Sequence, residues 1–420
     1  MIAHSRRCPL LAAASAAVIL GALASGRSAA ADPAPPFTEL LAQARDRAPR
    51  LAEAESSVRQ AEGLARQAGA RPNPEASVEV ENFDPRGRGA DQIQTTLSLG
   101  QPIELGGKRP ARIAAGRAAV DAAQAKLTQS RADYAYDLAG AYAEAEVADR
   151  RVKLAMDALG LAQEDLRAAR ALVEAGKEAE LRSLQGQATV TQAKAELSSA
   201  EADRAGAFAR LSALAGSSAP FTSLSESLLS RPSRQRLQTN IDPLSVPSVV
   251  AAQAEREAVA RRVRVEKTKA IPDVTASLGV RRFNGDGSTA LVAGVSVPIP
   301  IFDQNRGNIS AAQAELAGAE ARLASARLDA EADLRTALFN VDAARTREAA
   351  AAEGEQTASE AYRLTRIAYE SGKSSLIELN TARRALADAR TQTLEAQLAR
   401  VRAEAALARL QGRAPFGAAP

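Results

Sequence analysis

The chain has 420 residues, of which 46% are hydrophobic but only 3% aromatic, with no Trp and a formal net charge of +4 at pH 7. Large compact cores rely chiefly on Leu, Ile, Val and Phe. An alanine-rich chain with 25% charged residues therefore argues against ordinary globules and for long helices packed closely side by side. Arg6, Arg7 and Arg27 lie in an N-terminal segment that carries no acid, so its loss leaves a net charge of about +1 and no electrostatic case for nucleic acid as a partner.

Residues 1–31 read as a secretory signal peptide. His4, Arg6 and Arg7 form a charged start, Leu10 to Leu23 is apolar but too short to span a bilayer, and small residues Ser28 to Ala31 precede Asp32. Cys8 precedes the apolar run, so no lipid anchor is expected at the new N-terminus. Its removal leaves no thiol. Residues 32–216 then read as a first repeat. Its opening helical run, Phe37 to Ala70, has a break near Pro49 and Thr38 as N-cap, and Arg71-Pro72-Asn73-Pro74 stops it.

Two alternating runs follow, about 74–83 and 92–101, joined by the polar loop Asp84 to Gly89. Val78 and Val80 oppose Ser77, Glu79 and Glu81, and Ile93, Thr95, Leu97 and Leu99 oppose Gln94, Thr96 and Ser98. Period two with one apolar and one polar face predicts strands, each long enough to cross a bilayer at a tilt. A long helix over about 108–175 and a return helix over 179–215 complete the unit. Val152, Leu159, Leu166 and Val173 recur at heptad spacing along the long helix, as a coiled-coil seam does.

Residues 217–247, rich in Ser, Pro and Arg, read as a connector. The second repeat, 248–412, has strands at about 272–282 and 289–298, a long helix over about 304–371 and a return helix over 375–411, and 413–420 read as a disordered-looking tail. The pairs Pro102 and Pro298, Ile113 and Ile309, Leu127 and Leu323, Gly176 and Gly372, and Gly216 and Gly412 all stand 196 residues apart. A gapless offset held over more than a hundred residues means that one unit has been duplicated.

Helix, strand, strand, long helix, turn, helix, twice over, resembles the TolC-type outer-membrane efflux proteins across essentially the whole mature chain. Leu99-Gly100-Gln101-Pro102-Ile103-Glu104-Leu105-Gly106-Gly107-Lys108-Arg109 is most similar to the cobalt–zinc–cadmium resistance branch of that family. The resemblance implies a mainly α protein with membrane β. As a homotrimer it would pool its strands into one β-barrel in outer-membrane lipid, continued by a periplasmic α-helical barrel. It also implies a passive channel of a tripartite efflux system, working with a periplasmic adaptor and a proton-driven inner-membrane pump, with divalent heavy-metal cations as cargo. Physics agrees with the division of labour: four strands cannot close a membrane barrel, and open edges are not tolerated in lipid.

At the strand-to-helix junctions, Pro102 and Pro298 are expected to end strands where no ladder donor is required, and Gly106 and Gly107 to permit a sharp turn. Lys108 and Arg109 are expected near lipid headgroups, or as ordinary solvated charges. The resemblance places adaptor docking at the helical tips. Arg366, Tyr369, Gly372, Lys373 and Ser375 match the family pattern, whereas Arg170, Gly176 and Lys177 stand in a first tip with Val173 and Ala179 in place of the tyrosine and serine. Six residues past the tip glycines, Glu378 and Arg182 are placed at the channel entrance, where Glu378 would draw cations and Arg182 could pair with it; both also fit solvated helix charges.

No enzyme is expected, and no cofactor or resident metal. The one His and the one Cys both fall in residues 1–31, which removes triads, thiol nucleophiles and the usual zinc sites. Glu178 with Glu180, and Asp329, Glu331 and Asp333, recur at helical spacing and read as solvated faces. Met156 is the one methionine beyond the initiator, so there is no soft-ligand ladder. Three alternatives stand beside the channel: a periplasmic adaptor, a coiled-coil scaffold, and a channel for drugs or other small molecules.

Overall fold

The computed structural model describes residues 33–82, 90–232, 241–371 and 373–417. The segment read as a signal peptide, Phe83 and the loop Asp84 to Gly89, residues 233–240 of the connector, Gly372 and the last three residues of the tail lie outside the described residues.

The chain opens with α1 (Phe37–Arg47) and α2 (Pro49–Ala68), separated at the extended Ala48 because Pro49 occupies the first turn of α2. Thr38 is not the N-cap of α1. Pro36 takes that place without a side-chain bond, and the helix starts two residues early so that Phe37 enters the core. Two hairpins follow in their repeats: β1 (Glu75–Glu81) with β2 (Gln94–Ile103), and β3 (Val274–Phe283) with β4 (Thr289–Ser296). All pair antiparallel in the order β1-β2-β3-β4, so β2 and β3 join the repeats across some 170 residues of intervening chain. β2 runs on through Pro102, which pairs with Thr275, instead of stopping before it. β1 has already ended there, at the Glu75–Gly100 pair, so the side of Pro102 that lacks a donor faces no ladder.

The long helices are α3 (Lys108–Glu174) and α6 (Arg306–Glu370), 67 and 65 residues. Each extends about 100 Å at 1.5 Å per residue. The return helices are α4 (Glu180–Leu214) and α7 (Leu376–Leu410), and α5 (Pro247–Lys269) leads into β3. α3 is the axis of the molecule. Near the sheet it lies between α2 and α5; further away it lies between α4 and α7, and α6 closes the far side against α5 and α7. Small residues set these distances. Gly116 sits against Ala65 and Ala68 of α2, and Gly186 of α4 against Leu166 of α3. Leu166 packs with Ala162, Val190 and Ala193, and Leu334 and Val341 with Val249 and Leu407.

Midway along α3 the packing thickens. Phe37 meets Tyr142 and Phe416 edge-on, each with ring centroids 6.0 Å apart. Tyr134 donates to the Leu214 carbonyl at 2.6 Å and Tyr142 to that of Glu226 at 3.0 Å, and burial pushes both phenols up to about 12. The connector and the tail are not loose here. Leu228 and Leu229 are fully buried, and their backbone amides donate to Glu146 of α3 at 2.8 and 3.1 Å. Phe416 is held through its carbonyl by Arg231 at 2.8 Å. Apolar burial plus the need to satisfy backbone donors orders segments whose composition alone reads as linker.

Candidate functional site

The register assigns every strand residue to one of two faces. On one, Val78, Leu97, Val280 and Leu291 make a continuous row across four strands, with Ala76, Leu99, Leu278 and Ala293 in the next row. These side chains are bare in the single chain: Leu291 is 81% exposed and Val295 74%. On the other face Arg281 lies across three strands, donating to Thr96 at 2.9 Å and Gln94 at 3.3 Å and standing 2.9 Å from Glu81. Among the described residues no helix is long and apolar enough to cross a membrane. The apolar band belongs to the sheet, whose outer strands β1 and β4 have open edges. α2 and α4 are open on the β1 side and α6 on the β4 side, where Leu328 and Phe339 are bare.

Five of the junction residues come together where β2 enters α3. Gly106 and Gly107 both adopt left-handed backbone, φ 67° and 74°. Gly106 lies under Ile271, so closely that an added Cβ would fall 2.4 Å from the Ile271 Cδ1; around Gly107 there is open space. Lys108 and Arg109 do not face outward. Lys108 Nζ is 2.7 Å from Asp273, and Arg109 donates to the Gly69 carbonyl at 2.9 Å. The Leu105 amide donates to the same Asp273 at 3.1 Å, and Arg112 pairs with Glu104. These bonds tie α2, β2, α3 and the start of β3 into one joint. Pro298 lies apart, on the open edge beyond β4.

At the opposite end both long helices close alike. Lys177 donates to Leu172 at 2.9 Å and Gly176, at φ 68°, to Val173, the hydrogen-bond pair that closes a helix on a left-handed residue. Lys373 donates in the same way to Ala368 at 2.8 Å. Arg170 donates to Gln187 across α3 and α4 at 2.9 Å, Arg366 pairs with Glu370 on its own helix, and Tyr369 is exposed.

The two tips differ at the return. Ser375 and Glu378 form a reciprocal cap: the Glu378 amide donates to Ser375 Oγ at 3.2 Å, and the Ser375 amide to Glu378 Oε2 at 2.9 Å. Ala179 caps α4 with no side chain. The Ser-x-x-Glu spacing is legible in sequence as a capping box, a role that competes with a purely channel-facing one. Hydrogen bonds from Ser374 and Ser375 hold the Glu378 carboxyl below its ordinary range. Among the described residues no ion pair joins it to Arg182. Nearest the tips, the hairpins are tied instead by Arg383 of α7 with Asp165 of α3. Ser375→Ala is expected to raise amide exchange in the first turn of α7 about fivefold, with the first turn of α4 unchanged. A depressed pKa means that the Glu378 contribution is present above the ordinary carboxylate range and lost as pH falls through the lowered value. The protection factor in the first turn of α7, taken relative to the slower intrinsic exchange in acid, should therefore fall on acidification while that of α4 holds. Among the described residues no cluster of His, Cys, Asp and Glu could hold a metal ion.

Comparison with known proteins adds four findings. The family description "Outer membrane efflux protein" matches residues 40–217 and 244–413, one stretch per repeat. The nickel-cobalt-cadmium resistance protein NccC of Alcaligenes xylosoxydans xylosoxydans is 46% identical over 401 residues, 95% of this chain and 91% of that one. The nickel and cobalt resistance protein CnrC of Cupriavidus metallidurans is 48% identical over 311 residues, 73% of this chain and 74% of that one. Among solved structures, the outer membrane protein VceC of Vibrio cholerae shares the fold at TM-score 0.72 and 22% identity, covering 90% of this chain and 96% of that one.

Proposed function

From the membership of this chain in the outer membrane efflux protein family, we propose that three copies close one channel through the outer membrane and export divalent heavy-metal cations. The observation that carries the reading is a four-stranded sheet with a bare apolar face and two open edges, fused to helices some 100 Å long. Edges cannot stay open in lipid, so the sheet demands further copies, and the polar face carrying Arg281 and Glu81 then lines the passage. Residues 1–31 direct export and are cleaved. The helical tips meet a periplasmic adaptor, with Glu378 and Arg182 at the entrance, and an inner-membrane pump supplies the energy. The cargo assignment leans on the resistance named for NccC and CnrC. It suits a wall without tight ligands, because strong binding would slow passage.

Deleting the gene is expected to sensitise cells to nickel, cobalt or cadmium, with resistance restored by the full chain. The purified protein should form stable trimers that conduct ions across planar bilayers. Unchanged metal tolerance would overturn the cargo, and a monomer that never enters bilayers would overturn the channel.

A further inference from the structure

The two hairpins superpose with fixed offsets. Pro72, Ala76, Ser77 and Val80 of the first incoming strand stand 200 residues before Pro272, Ala276, Ser277 and Val280. The outgoing strands keep the offset of 196, and the two offsets together convert the Glu75–Gly100 pair of the first hairpin into the Thr275–Ser296 pair of the second. The chain therefore already contains one example of how an outgoing strand meets an incoming one, the β2–β3 ladder and its joint. On the reading of the channel as a trimer, the β4 edge must meet the β1 edge of the next copy.

We propose that this subunit seam repeats the internal joint, with Val295 opposite Val78 of the next subunit and a neutral lock, Asn73 with Gln304, in place of Asp273 with Lys108.

Carrying the β2–β3 register over by the two offsets pairs Ala293 with Val80, Val297 with Ala76 and Ser296 with Ser77 of the next subunit. At these pairs apolar meets apolar and polar meets polar, as a one-residue slip would not allow. A row leaving Val78 crosses Leu97, Val280 and Leu291 and reaches Asn82 of the next subunit, four residues further along. Three such steps over twelve strands give a tilt of about 35°, within the range of membrane barrels.

The two contacts to Asp273 carry over by the same offsets. Leu105, whose amide donates to Asp273, becomes Ile301; in the single chain the Ile301 amide falls back on the Ile299 carbonyl at 2.9 Å. Asp273 becomes Asn73, exposed on the β1 side, and Lys108 becomes Gln304. The arm that would lie on the next copy is apolar and bare, with Ile299 78% and Phe302 98% exposed. Neutral partners also let a secreted chain wait unassembled without exposing an unpaired charge at the seam.

The test uses the full chain carrying Cys8→Ser, expressed in membranes and oxidised. Val295→Cys with Val78→Cys should cross-link neighbouring subunits at least about fivefold more than Val295→Cys with Val80→Cys or Ala76→Cys, since diagonal neighbours lie beyond disulfide reach. A maximum at a shifted pair, or trimers that cross-link at none, overturns the seam. Absence of trimers in the unsubstituted protein overturns the channel reading itself. Asn73→Asp combined with Gln304→Lys rebuilds the internal charge pair. Its trimer should dissociate at a higher temperature than either single variant, and strictly additive effects overturn the lock.

Discussion

Arg400→Ala is expected to destabilise the folded chain by about 3–5 kcal/mol, the usual cost of removing one partner from a buried ionic group. Arg400 is 2% exposed, and its guanidinium reaches three elements at once. It stands 2.6 Å from Glu348 of α6 and 3.2 Å from Glu404 of its own helix, and donates to the Leu229 carbonyl of the connector at 2.8 Å. Truncation takes the guanidinium from Glu348, leaves Glu404 with Arg345 at 3.4 Å as its remaining arginine, and strips a buried carbonyl of its donor. Leu228 and Leu229, held from the other side by Glu146, would be released with it. Thermal unfolding of the detergent-solubilised protein, followed by circular dichroism, measures the loss. Limited proteolysis between residues 217 and 232 should accelerate in parallel. A variant that melts with the parent would show that the strap is held by its leucines and Glu146 without Arg400.

Gly106→Val is expected to be the most damaging single change at the sheet end. The residue must leave a left-handed backbone, which costs a β-branched side chain about 1–3 kcal/mol, and its Cβ would fall inside Ile271, adding about 1–3 kcal/mol of overpacking. Gly107→Val meets the first penalty but not the second, since nothing lies within 4 Å of its added Cβ. The expected order of folded protein recovered from membrane fractions is therefore parent, Gly107→Val, then Gly106→Val, and equal recovery of the two variants would contradict the close approach of Ile271. Shortening Ile271 to alanine alongside Gly106→Val should restore part of the yield.

Both sites illustrate where reading the chain stops. The Gly106-Gly107 pair stands out in sequence as a place to turn, yet nothing in the order of residues says which glycine is crowded. That depends on Ile271, over 160 positions away. Lys108 and Arg109 read as surface charges because Asp273 and the Gly69 carbonyl come from other parts of the chain. The connector was opaque for a similar reason. Leu228-Leu229 is a short apolar signal inside a polar run, and only the amide-accepting Glu146, 82 positions before Leu228, makes it a strap. The tail likewise depends on one aromatic, Phe416, finding Phe37. The Ser375–Glu378 cap, by contrast, is local, and its spacing alone is enough to identify it.

Duplication, strand alternation and helix length are periodic properties of the chain, so the order of elements, the two hairpins and the two faces of each strand follow from the residues themselves. Which strand lies beside which, and which edges stay open, are not periodic. They arise from the pairing of β2 with β3 and the packing of four neighbours around α3, contacts between residues far apart in the chain. The decision that the apolar face stays bare, and so must meet lipid, belongs to that tertiary arrangement, because among the described residues no helix lies over the sheet to cover it.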